Sequence, residues 1–168
     1  MIRLYHGSNV DIGKIDLSLC NPNKDFGQGF YLTDIREQAE QMALRRTRIA
    51  GQGHPTVSTF EFDESLIDSG CLNVKTFNSP DAEWALFILA NRNNSENKPC
   101  HRYDIVIGPV ADDGVAFQLE RYVRNIITLE TLTKELTYRK LNRQYFFGTE
   151  AAIAKLNKIH DCTTTISY

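Results

Sequence analysis

The stretch DFGQGFYLT, residues 25–33, joins two patterns that ordinary strands keep apart. Gly27 and Gly29 bracket Gln28, and the chain then runs straight into Phe30, Tyr31, Leu32 and Thr33. A strand alternates its faces, so Phe30 and Leu32 share one side and Tyr31 and Thr33 the other. Glycines directly before a strand permit a tight turn and let a second backbone or a ligand come close. From residue 34 the apolar period becomes that of a helix, with Ile35, Ala39, Met42 and Ala43 on one face and Thr33 or Asp34 available as the cap. Tyr31 then has two readings, as a core side chain or as a platform for a flat ligand.

Working outward, short β-branched and aromatic runs predict strands over 2–5, 29–33, 56–62, 72–75, 103–107, 144–147 and 163–168. TVSTFEF (56–62) alternates, whereas YDIVIGP (103–109) is apolar almost throughout and predicts a central strand buried on both faces. Helical spacing predicts helices over 34–49, 81–92, 115–125, 129–136 and 149–157, the last capped by Thr149. In the second, Trp84 falls in register with Phe87, Ile88 and Asn91 and is expected in the core. Strands and helices do not alternate in regular βαβ units, so the expected class is α+β, in one domain spanning 1–168.

Composition narrows the function. With 168 residues, 42% apolar and 24% charged, the chain suits one soluble domain with a real core. A formal net charge of −2 argues against a dedicated nucleic-acid or membrane-surface binder, which needs clustered cations. The one dense basic run, Arg45 to Arg48, reads as a solvated helix end. Cys20, Cys71, Cys100 and Cys162 form no CxxC pair, and with His6, His54, His101 and His160 they give no zinc spacing, so no metal is expected. The thiols are expected to be free in a reducing compartment. No leading apolar run and no long apolar stretch is present, so a cytoplasmic protein is expected.

A second motif lies at the end of the first predicted strand: LYHGS, with His6, Gly7 and Ser8. Glycine there leaves its N–H and C=O approachable, and the imidazole adds a donor and an acceptor. HGS at one strand followed by FGQGFYLT at the next resembles the nicotinamide-pocket motifs of the diphtheria-toxin and poly(ADP-ribose)-polymerase type of ADP-ribosyltransferase. The whole chain resembles the bacterial DUF3990 family, placed in that clan. LYHGS, DFGQGFYLT with EQAEQMA, DAEWALFILANR, YDIVIGPVADD and LNRQYFFGTEAAIAKL carry the likeness in order.

The resemblance implies an ADP-ribosyltransferase-like split β-sandwich of two small antiparallel sheets with surrounding helices, holding NAD as co-substrate. It assigns His6 to the adenosine ribose, Gly7 and Ser8 to the nicotinamide carboxamide, Gly29 to the tight turn beside the dinucleotide and Tyr31 to the nicotinamide ring. The position of the catalytic glutamate of that superfamily falls on Gln144, in QYFFGT. Glutamine keeps a hydrogen bond and loses a charge, and losing one preorganised group costs ~10²–10³ in rate. Three readings stay open: Gln144 works with another acid, for which Asp25, Asp104, Asp112 and Asp113 are candidates; Glu150 supplies the charge; or the site binds NAD without turning it over. The implied function is a mono-ADP-ribosyltransferase acting on an unknown acceptor, with a toxin–antitoxin role and a small antitoxin partner as a further expectation. The alternative is a non-catalytic NAD, ADP-ribose or protein-binding module. Transfer of an RNA 2′-phosphate to NAD ranks behind both, because it would need a strongly basic cleft.

Overall fold

The computed structural model describes residues 1–96 and 98–159. The predicted strand over 163–168, with His160 and Cys162, lies outside the described residues.

Two sheets form. Strands β1 (Ile2–Ser8), β3 (Thr56–Phe62) and β7 (Asn157–Ile159) make an antiparallel sheet in the order β1-β3-β7. Strands β2 (Phe30–Leu32), β4 (Val74–Thr76), β5 (Ile105–Pro109) and β6 (Arg143–Phe147) make a second sheet in the order β2-β6-β5-β4. The expected antiparallel pairing fails at one place, since β4 and β5 run parallel. The cause is α2 (Ala82–Arg92), which lies between them in sequence. A crossover of that length lets the chain return in the same direction. The α+β class stands, with one antiparallel and one mixed sheet.

Alternation along the strands sorts three apolar layers. Leu4, Phe60 and Phe62 of the first sheet pack against Phe30, Leu32, Ile105, Ile107, Tyr145 and Phe147 of the second. The opposite side of the second sheet presents Val106 and Phe146 to Phe26, to Trp84 and Ile88 of α2, and to the helices α3 (Asp113–Val123) and α4 (Leu129–Thr137). Both β5 faces are therefore buried, as YDIVIGP predicts. Trp84 is fully buried, and its indole N–H donates to the Pro109 carbonyl at 3.2 Å. The outer side of the first sheet is covered by α1 (Arg36–Ala50) through Tyr5, Val57, Ala39 and Ala43.

Three local expectations are corrected. The buried stripe of α1 is Ala39, Ala43 and Thr47, while Ile35 and Met42 are exposed. Small residues are required because the helix lies directly on β1: a Cβ on Gly7 would come within 1.9 Å of the Ala39 carbonyl oxygen. Helix α1 begins at Arg36 without a side-chain cap on its first turn. Thr33 instead holds the entering loop, accepting from the Ile35 N–H at 3.1 Å and donating to Gln38 Oε1 at 2.9 Å. Helix α5 (Glu150–Ile153) is a single capped turn, not a helix to residue 157. Pairing with the open edge of β3 draws residues 157–159 into the sheet, and this outweighs the helix preference of the alanines. Among the described residues no helix is long and apolar enough to cross a membrane.

Candidate functional site

The two sheets are tied at one point. Tyr5 and Thr33 exchange backbone hydrogen bonds, Tyr5 N–H to Thr33 O at 2.8 Å and Thr33 N–H to Tyr5 O at 3.0 Å. Tyr5 thus turns its N–H and C=O away from β3. Two residues on, strand periodicity points those of Gly7 to the same side. That side opens into a cavity of about 420 Å³ lined by His6, Gly7, Ser8, Gly29, Phe30 and Tyr31. Five residues singled out from two separated motifs therefore meet at one concavity.

His6 is held on two sides. Its ring stacks on Phe30 with centroids 4.4 Å apart, and Nδ1 lies 2.8 Å from the Tyr31 carbonyl oxygen. A carbonyl only accepts, so Nδ1 carries the proton and Nε2 presents a lone pair. Burial pushes the imidazole below its ordinary pKa; the Tyr31 carbonyl opposes this, and the charges of Arg46 and Lys24 add to the lowering. The ring is neutral at pH 7.

Tyr31 is half-buried and its hydroxyl is committed. It donates to the Gly27 carbonyl at 2.7 Å and accepts the Phe26 N–H at 2.9 Å. Burial raises its pKa far out of the physiological range, so it moves no proton. The ring edge meets Phe146 at 5.3 Å, and the ammonium of Lys24 lies over the ring 5.7 Å from its centroid. Any flat ligand stacking there displaces Lys24.

The glycines of the opening stretch act through packing. Gly27 has φ of 93°, the left-handed region that a turn at this point needs. A Cβ on Gly29 would lie 2.2 Å from the Phe146 ring and 2.7 Å from the Phe147 carbonyl oxygen. The close neighbour that Gly29 admits is β6, as the close neighbour of Gly7 is α1.

Sequence reasoning missed the opposite wall. The segment between β1 and β2 contributes Asn9, Lys14, Asp16 and Lys24, and Arg46 reaches in from the exposed side of α1. Burial lowers the Lys24 pKa, and the nearby Arg46 charge adds to it. Among the described residues three cations thus face one acid, Asp16. That acid is itself occupied by Ser18, whose backbone N–H and hydroxyl both bond it, and its pKa is lowered by those bonds. Arg46 belongs to the run read as a solvated helix end; its place three residues after Ala43, on the rim of the face that covers Gly7, was the available signal.

The charge-supplying candidates lie elsewhere. The Gln144 side-chain N–H groups donate to Asp25 Oδ2 at 3.0 Å and to the Pro109 carbonyl at 3.2 Å. Asp25 also pairs with Arg92 at 2.6 Å and accepts the Ala111 N–H at 3.3 Å. Neither Gln144 nor Asp25 lines the cavity, and Glu150 stands exposed on the first turn of α5 away from it. Asp104 is a structural latch, accepting from the Asn73 N–H at 2.7 Å and the Thr149 hydroxyl at 2.6 Å. Asp112 caps α3, taking the Val115 N–H at 2.8 Å. Among the described residues no three His, Cys, Asp or Glu side chains gather as a metal site.

One family model matches this chain, over residues 2–158: DUF3990, described as a protein of unknown function. No curated protein and no solved structure matches.

Proposed function

The chain belongs to the DUF3990 family, and from that membership and the geometry of the cavity we propose that it binds NAD there and breaks the nicotinamide–ribose bond. ADP-ribose passes to an acceptor, as in the diphtheria-toxin and poly(ADP-ribose)-polymerase type of transferase. One observation carries the reading: His6, Gly7, Ser8, Gly29 and Tyr31, from two separate motifs, line a single cavity with three cations.

Each group then has a task. The outward N–H and C=O of Gly7 match the complementary pair on a carboxamide, with the Ser8 hydroxyl beside them. Nε2 of neutral His6 accepts from a ribose hydroxyl. Lys14, Lys24 and Arg46 meet the diphosphate, and the Tyr31 ring seats the nicotinamide once Lys24 moves onto phosphate. When the glycosidic bond breaks, its electron pair neutralises the pyridinium, nicotinamide leaves, and the acceptor attacks the ribose carbon and sheds its proton. Free thiols at Cys20, Cys71 and Cys100 agree with a cytoplasmic setting, in which a toxin held by a small antitoxin is the biological role this chemistry suits.

A second reading, binding without turnover, is favoured by one feature. Gln144 spends both amide N–H groups on Asp25 and Pro109, so no carboxylate comes from that position. Incubating the purified chain with NAD separates the two. Nicotinamide release that disappears in His6→Ala and Tyr31→Ala supports the enzyme. Binding by calorimetry without release supports the module. Neither binding nor release overturns both.

A further inference from the structure

The wall of the first cavity is also the wall of a second. Along residues 21–31, Asn21, Lys24, Gly29 and Tyr31 face the first, whereas Asn23, Phe26, Gly27 and Gln28 face a separate cavity of about 580 Å³. Its far side is built by Asn91 of α2, the loop before β5, and Phe146 of β6. That volume lies within the roughly 300–1,000 Å³ of small-molecule sites.

Three features define what would fit. The first is aromatic lining. His101 uses both ring nitrogens, Nε2–H on the Phe26 carbonyl at 2.7 Å and Nδ1 on the Tyr103 N–H at 3.1 Å. Its ring therefore serves as a neutral flat surface among Phe146 and Tyr103, with centroids 5.6 and 5.3 Å away. The second is an acceptor left over. Asn91 is only 2% exposed, and its Nδ2 donates to the Phe87 carbonyl at 2.8 Å, which fixes the amide orientation. Its Oδ1 has no protein partner among the described residues and keeps accessible surface where Asn91 lines the cavity. The third is charge: among the described residues Lys98 and Arg102 line the cavity, no acidic residue does, and neither cation forms an ion pair.

We propose that this second cavity binds a nucleotide, its base against the aromatic lining with an N–H donated to Asn91 Oδ1 and its phosphate against Lys98 and Arg102. Two cations suit one phosphate rather than a long backbone, so a free mononucleotide is the ligand, and a nucleotide within a single strand shares the same chemistry. The site does not depend on the first cavity holding NAD.

The test is titration of the isotope-labelled full-length chain with AMP, followed by nuclear magnetic resonance and calorimetry. Amide shifts should centre on Asn91, Arg102 and Tyr103. Lys98→Glu with Arg102→Glu, both at exposed positions, should weaken AMP at least tenfold, and adenosine without phosphate should bind at least tenfold more weakly than AMP. A pentadeoxyadenylate strand tighter than AMP at the same residues would assign the site to nucleic acid; equal or weaker strand binding would assign it to the free nucleotide. Shifts confined to His6, Ser8 and Tyr31, AMP affinity unchanged by the double substitution, or no binding would overturn the proposal.

Discussion

Nδ1 of His6 donates to the carbonyl oxygen of Tyr31 at 2.8 Å, across 25 positions of sequence. One bond thereby joins the edge of the first sheet to the second, fixes the imidazole tautomer and leaves Nε2 with a free lone pair. Because burial holds the His6 pKa below its ordinary 6.5, the folded protein takes up the proton later than the unfolded chain does. Stability from this group is complete above about pH 6.5 and falls as pH drops through that value toward the lower folded pKa. His101, also lowered chiefly by burial, acts in the same direction. Urea midpoints measured from pH 8 to pH 5 should fall on the acid side, and His6→Gln should flatten the fall. A variant slope equal to that of the natural chain would show that His6 does not titrate as argued.

Gly7 is a packing requirement before it is a proposed binding group. Gly7→Ala drives a methyl into the Ala39 carbonyl, so α1 must shift, whereas Gly13 has nothing within 4 Å of an added Cβ. Gly7→Ala should cost roughly 3 kcal/mol, the upper range for overpacking, and Gly13→Ala close to nothing. Denaturant titration of both variants checks this; equal stabilities would mean that the helix does not rest on the strand.

In the proposed reaction, Lys24 and Tyr31 set the order of events at the first cavity. With its ammonium 5.7 Å from the ring centroid, Lys24 occupies the seat proposed for nicotinamide. Lys24→Met frees the ring and removes a cation. ADP-ribose should then bind ~10-fold more weakly, the scale of one charge-assisted hydrogen bond, while free nicotinamide binds more tightly. Calorimetry with the two fragments gives opposite signs if Lys24 exchanges the ring for phosphate. Losses of equal size would mean that it only supports the loop.

These outcomes also mark what the sequence could and could not reveal. YDIVIGP announced a strand buried on both faces because it is apolar almost throughout, with Ile105, Val106 and Ile107 consecutive, and FYLT sorted Phe30 and Leu32 from Tyr31 because alternation is a local property. The meeting of HGS with the Gly-flanked strand was legible as two motifs in order. The partners of the glycines were not. Gly7 answers to Ala39, 32 positions away, and Gly29 to Phe146, 117 positions away, and nothing local records such contacts. Lys14 and Lys24 sat in a polar loop whose path only the fold defines. The parallel β4–β5 pair was readable in retrospect as strand, helix, strand, but a short β4 of three residues hid it.

Gln144 is the residue where resemblance and structure give opposite expectations. Likeness to the transferases makes glutamate the natural occupant, so Gln144→Glu would be expected to raise activity. The surroundings argue otherwise. Asp25 Oδ2 at 3.0 Å and the Pro109 carbonyl at 3.2 Å are both acceptors, to which the two N–H groups of an amide donate and an ionised carboxylate cannot. A glutamate there would face the Asp25 carboxylate, which is 13% exposed and already shared with Arg92. Two close carboxylates do not both ionise, so the new group would keep its proton and carry a raised pKa. A raised carboxyl pKa contributes stability at low pH that is lost as pH rises from the ordinary glutamate value, about 4.3, through the folded one. The deficit of Gln144→Glu against the natural chain should therefore be greater at pH 8 than at pH 5, reaching roughly 2–4 kcal/mol, the scale of an uncompensated buried charge. Adding Asp25→Asn should recover part of it, and nicotinamide release from NAD should not increase. Faster release with undiminished stability would mean that residue 144 reaches the ribose after all, and that Asp25 leaves it room to do so.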